Sequence, residues 1–168
     1  MADPSIRLLE PADVGELLTL QRAAYVTEAQ IYGDLALAPL VQTYEQLSLE
    51  LSSSFALKAM LGQRIVGAGR ARIDASVLHI GRLAVAPDMQ GRGIGSLLLA
   101  ELERMAPAPV ERYTLFTGHL STANIRLYER LGYNQVRRER LRPGLVLVHF
   151  DKPARRMGAG RRQRRETR

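Results

Sequence analysis

Residues 83–96, Leu-Ala-Val-Ala-Pro-Asp-Met-Gln-Gly-Arg-Gly-Ile-Gly-Ser, are the part of the chain best suited to chemistry. An apolar run breaks at Pro87-Asp88, passes through glycines at 91, 93 and 95, and enters a helical pattern. Glycine lets backbone N–H groups approach a ligand with no Cβ in the way. The free N–H groups and positive dipole end of the following helix favour an anion. The chemistry implied is phosphate or pyrophosphate binding. A Walker A loop would need Gly-Lys-Ser/Thr, but Gly95-Ser96 has no lysine, and the chain holds only Lys58 and Lys152. A dinucleotide fingerprint would need a third glycine where Ser96 stands, and a parallel strand leading into it. An ordinary glycine turn opening a helix also fits these residues alone.

Other chemistry is narrowed by what the chain lacks. It has no cysteine, which excludes disulfides, thiolate nucleophiles, zinc fingers and iron–sulfur clusters. His79, His119 and His149 lie far apart, no pair at helical ligand spacing, so no metal site is expected. Asn124 and Tyr128 are four residues apart and share one face of a helix.

The elements that must position these groups follow from local patterning. Residues 5–9 read as a strand ended by Glu10-Pro11, and Val14, Leu17, Leu18 and Tyr25 recur at helical spacing. Leu40, Tyr44, Leu47 and Leu51 predict a single second helix, closed by three serines at 52–54. Segments 55–60, 64–73 and 77–85 then predict three antiparallel strands. A helix follows through Ile94, Leu97, Leu98, Leu102 and Met105, stopped by Pro107 and Pro109. Next come a strand over 112–117, a helix from the N-cap Ser121 to Leu131 with Gly132 beyond its end, and a hairpin of 133–140 with 145–150. The order is β-α-α-β-β-β-α-β-α-β-β, an α/β pattern.

Three segments in this order resemble the GNAT superfamily of N-acetyltransferases over residues 5–150. Gln90, Gly93 and Gly95 match the acetyl-coenzyme A loop of that family, Gln/Arg-x-x-Gly-x-Gly/Ala. Asn124, Tyr128, Gly132 and Tyr133 resemble its Asn…Tyr-x-x-x-Gly-Phe/Tyr segment, with a shorter first interval, and the opening Ile6–Asp13 looks similar too. The resemblance implies an α/β GNAT fold, a mixed central sheet of about seven strands flanked by about four helices, as one domain over 1–153. It implies acetyl-coenzyme A as cosubstrate. The backbone of Leu83, Ala84 and Val85 would pair with the pantetheine arm like an added strand, an N–H there polarising the thioester carbonyl. Gln90, Gly91, Arg92, Gly93, Ile94, Gly95 and Ser96 would hold the pyrophosphate. Asn124 would contact the arm, and Tyr128 would protonate the departing thiolate. Arg126 or Arg130 could reach the 3′-phosphate or stay solvated.

An amine must lose a proton before it attacks a thioester. Some family members use a glutamate four residues before the position of Leu83. Here that residue is His79, a type that titrates near neutrality, so either His79 or ordered water takes the proton. The expected activity is direct acetyl transfer to a primary amine in a ternary complex, since the chain offers no nucleophile for a covalent intermediate. The acceptor is expected to be a small molecule. The alternatives are a protein lysine or N-terminal amine, or a non-catalytic acyl-coenzyme A sensor. Tyr25, Glu28, Tyr32, Asp34 and Glu45 lie in the region that meets the acceptor in this family, and homodimers are common there.

The net charge of +7 is unevenly placed. Residues 154–168 hold seven arginines and one acid, leaving 17 basic against 16 acidic side chains in the rest. That tail is expected to be disordered and solvated, with nucleic acid a partner only through it. No apolar run reaches the roughly 20 residues of a bilayer span, and the first residues do not read as a signal peptide. A cytoplasmic protein with no membrane contact is the expectation.

Overall fold

The computed structural model describes residues 3–154. Of the basic stretch 154–168, only Ala154 falls within them, its N–H donating to the Glu111 carbonyl. The rest lies outside the described residues.

Seven strands form one mixed sheet: β1 (Ser5–Leu8), β2 (Phe55–Leu61), β3 (Arg64–Asp74), β4 (Val77–Val85), β5 (Arg112–Gly118), β6 (Asn134–Arg142) and β7 (Leu145–Pro153). Their order across the sheet is β1-β2-β3-β4-β5-β7-β6, antiparallel everywhere except between β4 and β5. The crossover joining that parallel pair is helix α4 (Ile94–Arg104), as a parallel connection requires. One face of the sheet carries α4 and α5 (Thr122–Arg130); the other carries α1 (Val14–Tyr32) and α3 (Tyr44–Ser52).

Packing explains several residue types. A Cβ on Gly67 would lie 2.8 Å from Ile94, and one on Gly69 would lie 3.1 Å from Leu102 and Leu83. These glycines let α4 sit close on β3, where Ile94, Leu98, Leu99 and Leu102 are buried. On the opposite face the buried Arg70 donates through Nη2 to Gln21 Oε1 at 2.8 Å, while its Nη1 faces Glu50 at 3.0 Å without a hydrogen bond.

The single helix predicted from Leu40 to Leu51 is instead two, α2 (Ala38–Val41) and α3. Gln42 and Thr43 are extended. Thr43 accepts from Gln46 N–H at 3.2 Å while Gln46 Oε1 accepts from Thr43 N–H at 2.9 Å. This capping box restarts the helix, and only Leu47 of the four apolar residues is fully buried. The flanking helices therefore number five rather than about four. No helix among the described residues is long and apolar enough to cross a membrane.

Candidate active site

The two parallel strands in mid-sheet separate. β4 and β5 pair at only three positions, Val77 with Arg112, Leu78 with Tyr113 and His79 with Thr114. Beyond them β4 runs six more residues to Val85 and β5 four more to Gly118, with no pairing between them. A wedge opens mid-sheet whose walls carry strand backbone free to bond something else.

A bulge aims the β4 wall. Arg82 and Leu83 together stand opposite Gly69, and Arg82 is left-handed at φ 51°. That conformation costs a non-glycine residue about 1–2 kcal/mol. The Arg82 guanidinium lies 4.0 Å from Glu50, and its charge acts on the Tyr25 hydroxyl. Past the bulge, Ala86 N–H turns to β3 and donates to Val66 at 2.9 Å. By strand alternation the backbone groups of Val85 and Leu83 turn into the wedge. The Val85 carbonyl already accepts there from Gln90 Nε2 at 3.3 Å, a long bond from an exposed side chain that an incoming donor can replace.

At the open end of that wall the chain makes a single 3-10 turn, Pro87–Met89, pinned by two 2.7 Å bonds from Arg64 to Asp88. Gly91 and Gly93 then adopt φ 75° and 79°. A Cβ on either would touch nothing within 4 Å, so backbone conformation and open space outside fix these glycines, not packing. Gly93 caps α4 without a side-chain bond, and the first intrahelical donor is Leu97. The N–H groups of Ile94, Gly95 and Ser96 are thus left for an external acceptor. Gly95 differs: a Cβ there would make ordinary contact with Leu127 and Leu83 at 3.5 and 3.7 Å. Arg92 is exposed beside this helix end.

Helix α5 brings the other groups. Asn124 donates to Thr117 on β5 at 3.2 Å. Tyr128 is buried, its ring 5.6 Å from Phe150 and 6.3 Å from Tyr133. Burial, and then the nearby Tyr25 hydroxyl and Glu28 carboxylate, push its phenol well above the ordinary range, so it stays neutral and able to donate. His79 sits where the wedge begins, with Nδ1 3.0 Å from Thr114 Oγ1.

Ser121 does not cap α5 as its position suggests; no side-chain cap bond forms. Its hydroxyl donates to Glu28 at 2.5 Å, and Tyr32 Oη lies 3.0 Å from the same oxygen while accepting from Leu120 N–H at 2.9 Å. The order of donors is therefore Leu120 N–H to Tyr32, Tyr32 to Ser121, Ser121 to Glu28. Gly118 allows this, since a Cβ there would lie 2.0 Å from Tyr32 Oη.

The structure thus gathers Leu83, Val85, the loop from Gln90 to Ser96 and Asn124 around one wedge, with His79 where it begins and Tyr128 buried on α5; the backbone of Ala84, by contrast, faces Ala68 on β3 and is turned away from the wedge. Sequence reasoning missed Arg82, whose positive φ leaves no mark in a strand-like run, and the joint use of Ser121, Glu28 and Tyr32.

The arrangement can bind a phosphorylated ligand at the helix end, pair its extended arm with β4, and offer a neutral phenol beside the arm's end. The family model for the GNAT acetyltransferases matches residues 16–133. Among solved structures, the chain is similar to the PaiA N-acetyltransferase of Thermoplasma acidophilum in complex with coenzyme A, at TM-score 0.75 and 20% identity, covering 88% of this chain and 98% of that one. It is similar to the ribosomal-protein-S18-alanine N-acetyltransferase of Escherichia coli at TM-score 0.73 and 19% identity, with coverage of 94% and 97%. A phosphinothricin acetyltransferase of Sinorhizobium meliloti in complex with acetyl-coenzyme A gives TM-score 0.73, 16% identity and coverage of 91% and 89%. No curated protein matches the chain by sequence. With the family match spanning most of the chain and the wedge formed by the same residues, the chain belongs to the GNAT acetyltransferase family, enzymes that take acetyl from acetyl-coenzyme A.

Proposed function

We propose that this enzyme moves acetyl from acetyl-coenzyme A to a primary amine on a small molecule, by direct transfer in a ternary complex. The observation that carries the reading is that the free β4 edge and the uncapped start of α4 border one opening, with α5 anchored to its β5 wall through Asn124 and Thr117. Leu83 and Val85 would bond the pantetheine amides, and a backbone N–H of that wall would polarise the thioester carbonyl. Gln90 to Ser96 would hold the pyrophosphate through N–H groups, with Arg92 adding positive charge. Asn124, steadied by Thr117, would bond the arm from the α5 side.

For the proton steps, His79 would accept the ammonium proton through a water, its Nδ1 being engaged by Thr114 and its Nε2 left for the task. The amine nitrogen then bonds to the acyl carbon as the carbon–sulfur bond breaks. Tyr128 would give its proton to sulfur and recover one from the new amide nitrogen. Direct transfer is supported by the absence of cysteine from the chain. Coenzyme A thiol release, measured over a panel of primary amines, tests the reading. Turnover with an amine that ceases in Gly93→Asp is the expected result. Acetyl-coenzyme A binding without turnover of any amine would favour a sensor.

A further inference from the structure

Helix α1 crosses the wedge. At Tyr25 it comes within electrostatic reach of Arg82 on the β4 bank, and at Glu28 and Tyr32 it is bonded to Ser121 just past the β5 bank. Glu28 therefore hangs over the opening itself, one turn from Tyr25 and one from Tyr32. Its carboxylate is close enough to the Tyr25 and Tyr128 phenols for its charge to act on both.

The acids around it are neutralised. Glu50 faces Arg70 and Arg82, Asp34 pairs with Arg142, and Glu139 pairs with Arg137 and His149. Glu28 has no ion pair among the described residues, only the Ser121 hydroxyl on one oxygen. The charged groups facing this part of α1 from the sheet, Arg70 and Arg82, act on the Tyr25 side and are already held by Glu50. A half-buried carboxylate lacking a cation is costly unless a ligand brings one.

We propose that Glu28 is the acceptor-recognition residue, binding the ammonium of a protonated primary amine on the α1 side of the wedge, next to Tyr128. This rests on the acetyltransferase reading above and narrows it to acceptors that arrive as cations. Ser121 and Tyr32 fix the carboxylate rotamer, so one oxygen is engaged and the other stays available for the ammonium. Arginine or lysine cannot sit where Glu28 is without closing the site to such acceptors, which makes the position a determinant of substrate charge.

The test uses two ligands that place a group just beyond the sulfur: S-(2-aminoethyl)-coenzyme A, which ends in an ammonium, and the neutral S-propyl-coenzyme A of similar size. Calorimetry on the wild-type enzyme should give roughly tenfold or greater preference for the ammonium ligand, as expected for one charge-assisted bond. In Glu28→Gln the preference should fall to about one with S-propyl-coenzyme A affinity kept, and Glu28→Asp should restore part of it. Glu111→Gln, exposed just ahead of β5 at the end where β4 and β5 still pair, should retain the full preference. Equal affinities in the wild type overturn the proposal without recourse to any variant, as does a preference that survives Glu28→Gln. Failure of both ligands to bind would instead overturn the acetyltransferase site itself.

Discussion

Gly93 separates backbone strain from ligand contact, because the two respond to different substitutions. Its φ of 79° costs an alanine about 1–2 kcal/mol, while a Cβ meets nothing within 4 Å. For a chain of this size 1 kcal/mol corresponds to about 2–4 °C, so Gly93→Ala should lower the melting temperature of the free enzyme by roughly 2–8 °C. Gly93→Asp should fall by a similar amount, since its side chain also points into open space. Acetyl-coenzyme A at 100 times its Kd adds about 2.7 kcal/mol to the wild type, roughly 5–11 °C. In Gly93→Asp that increment should vanish, a carboxylate now standing where the α4 N–H groups await an anion. Differential scanning fluorimetry with and without the ligand measures both quantities. An aspartate variant that is folded and keeps the full ligand shift would refute the placing of an anion at this helix end. A glycine variant series with no loss in the free enzyme would refute the strain argument.

Three further outcomes follow from the same geometry. Tyr128→Phe should lower kcat by about 10²–10⁴-fold with acetyl-coenzyme A affinity nearly kept. Because the phenol is held above its ordinary value of 10.0, wild-type kcat should show no alkaline loss from Tyr128 below pH 10; a limb below that pH which Tyr128→Phe removes would contradict the assignment. His79→Gln should keep the bond to Thr114 yet slow the reaction, checked with amines of different basicity; a wild-type rate would leave ordered water as the acceptor. Gly118→Ala places a Cβ 2.0 Å from Tyr32 Oη and should cost about 2 kcal/mol, a fall of roughly 4–8 °C, with KM for the amine rising as α1 shifts. An unchanged melting temperature would mean that α1 is not docked at the β5 end.

The element order and the glycine turn into α4 were legible because they are written locally. Alternation marks β3 and β4, and the glycines from 91 to 95 announce a tight turn into α4 whatever packs around them. What was not legible depends on contacts distant in sequence. Thr43 divides a helix whose apolar spacing looks continuous, since the capping box outweighs a stripe of which only Leu47 is deeply buried. Arg82 takes a left-handed turn beside Glu50, 32 residues earlier, whose carboxylate lies 4.0 Å from its guanidinium. Ser121 reads as an N-cap from its neighbours alone, and becomes a hydrogen-bond bridge only once α1 is laid across the sheet. The acceptor recognition proposed at Glu28 belongs to that tertiary layer, which a family motif pointing to the cosubstrate does not reach.

The central claim is that the opening between β4 and β5 receives the cosubstrate arm. Amide NMR on uniformly ¹⁵N-labelled enzyme, titrated with coenzyme A, tests it residue by residue. The account predicts the largest shifts at Leu83, Val85, Gly91, Gly93, Ile94, Gly95, Ser96 and Asn124, with slowed hydrogen exchange at Leu83 or Val85 as its N–H gains a partner. The paired amides of β1 and β2 should scarcely move. Binding that shifts the β1–β2 region or the outer edge of β6, and leaves Leu83 to Ser96 in place, would contradict it.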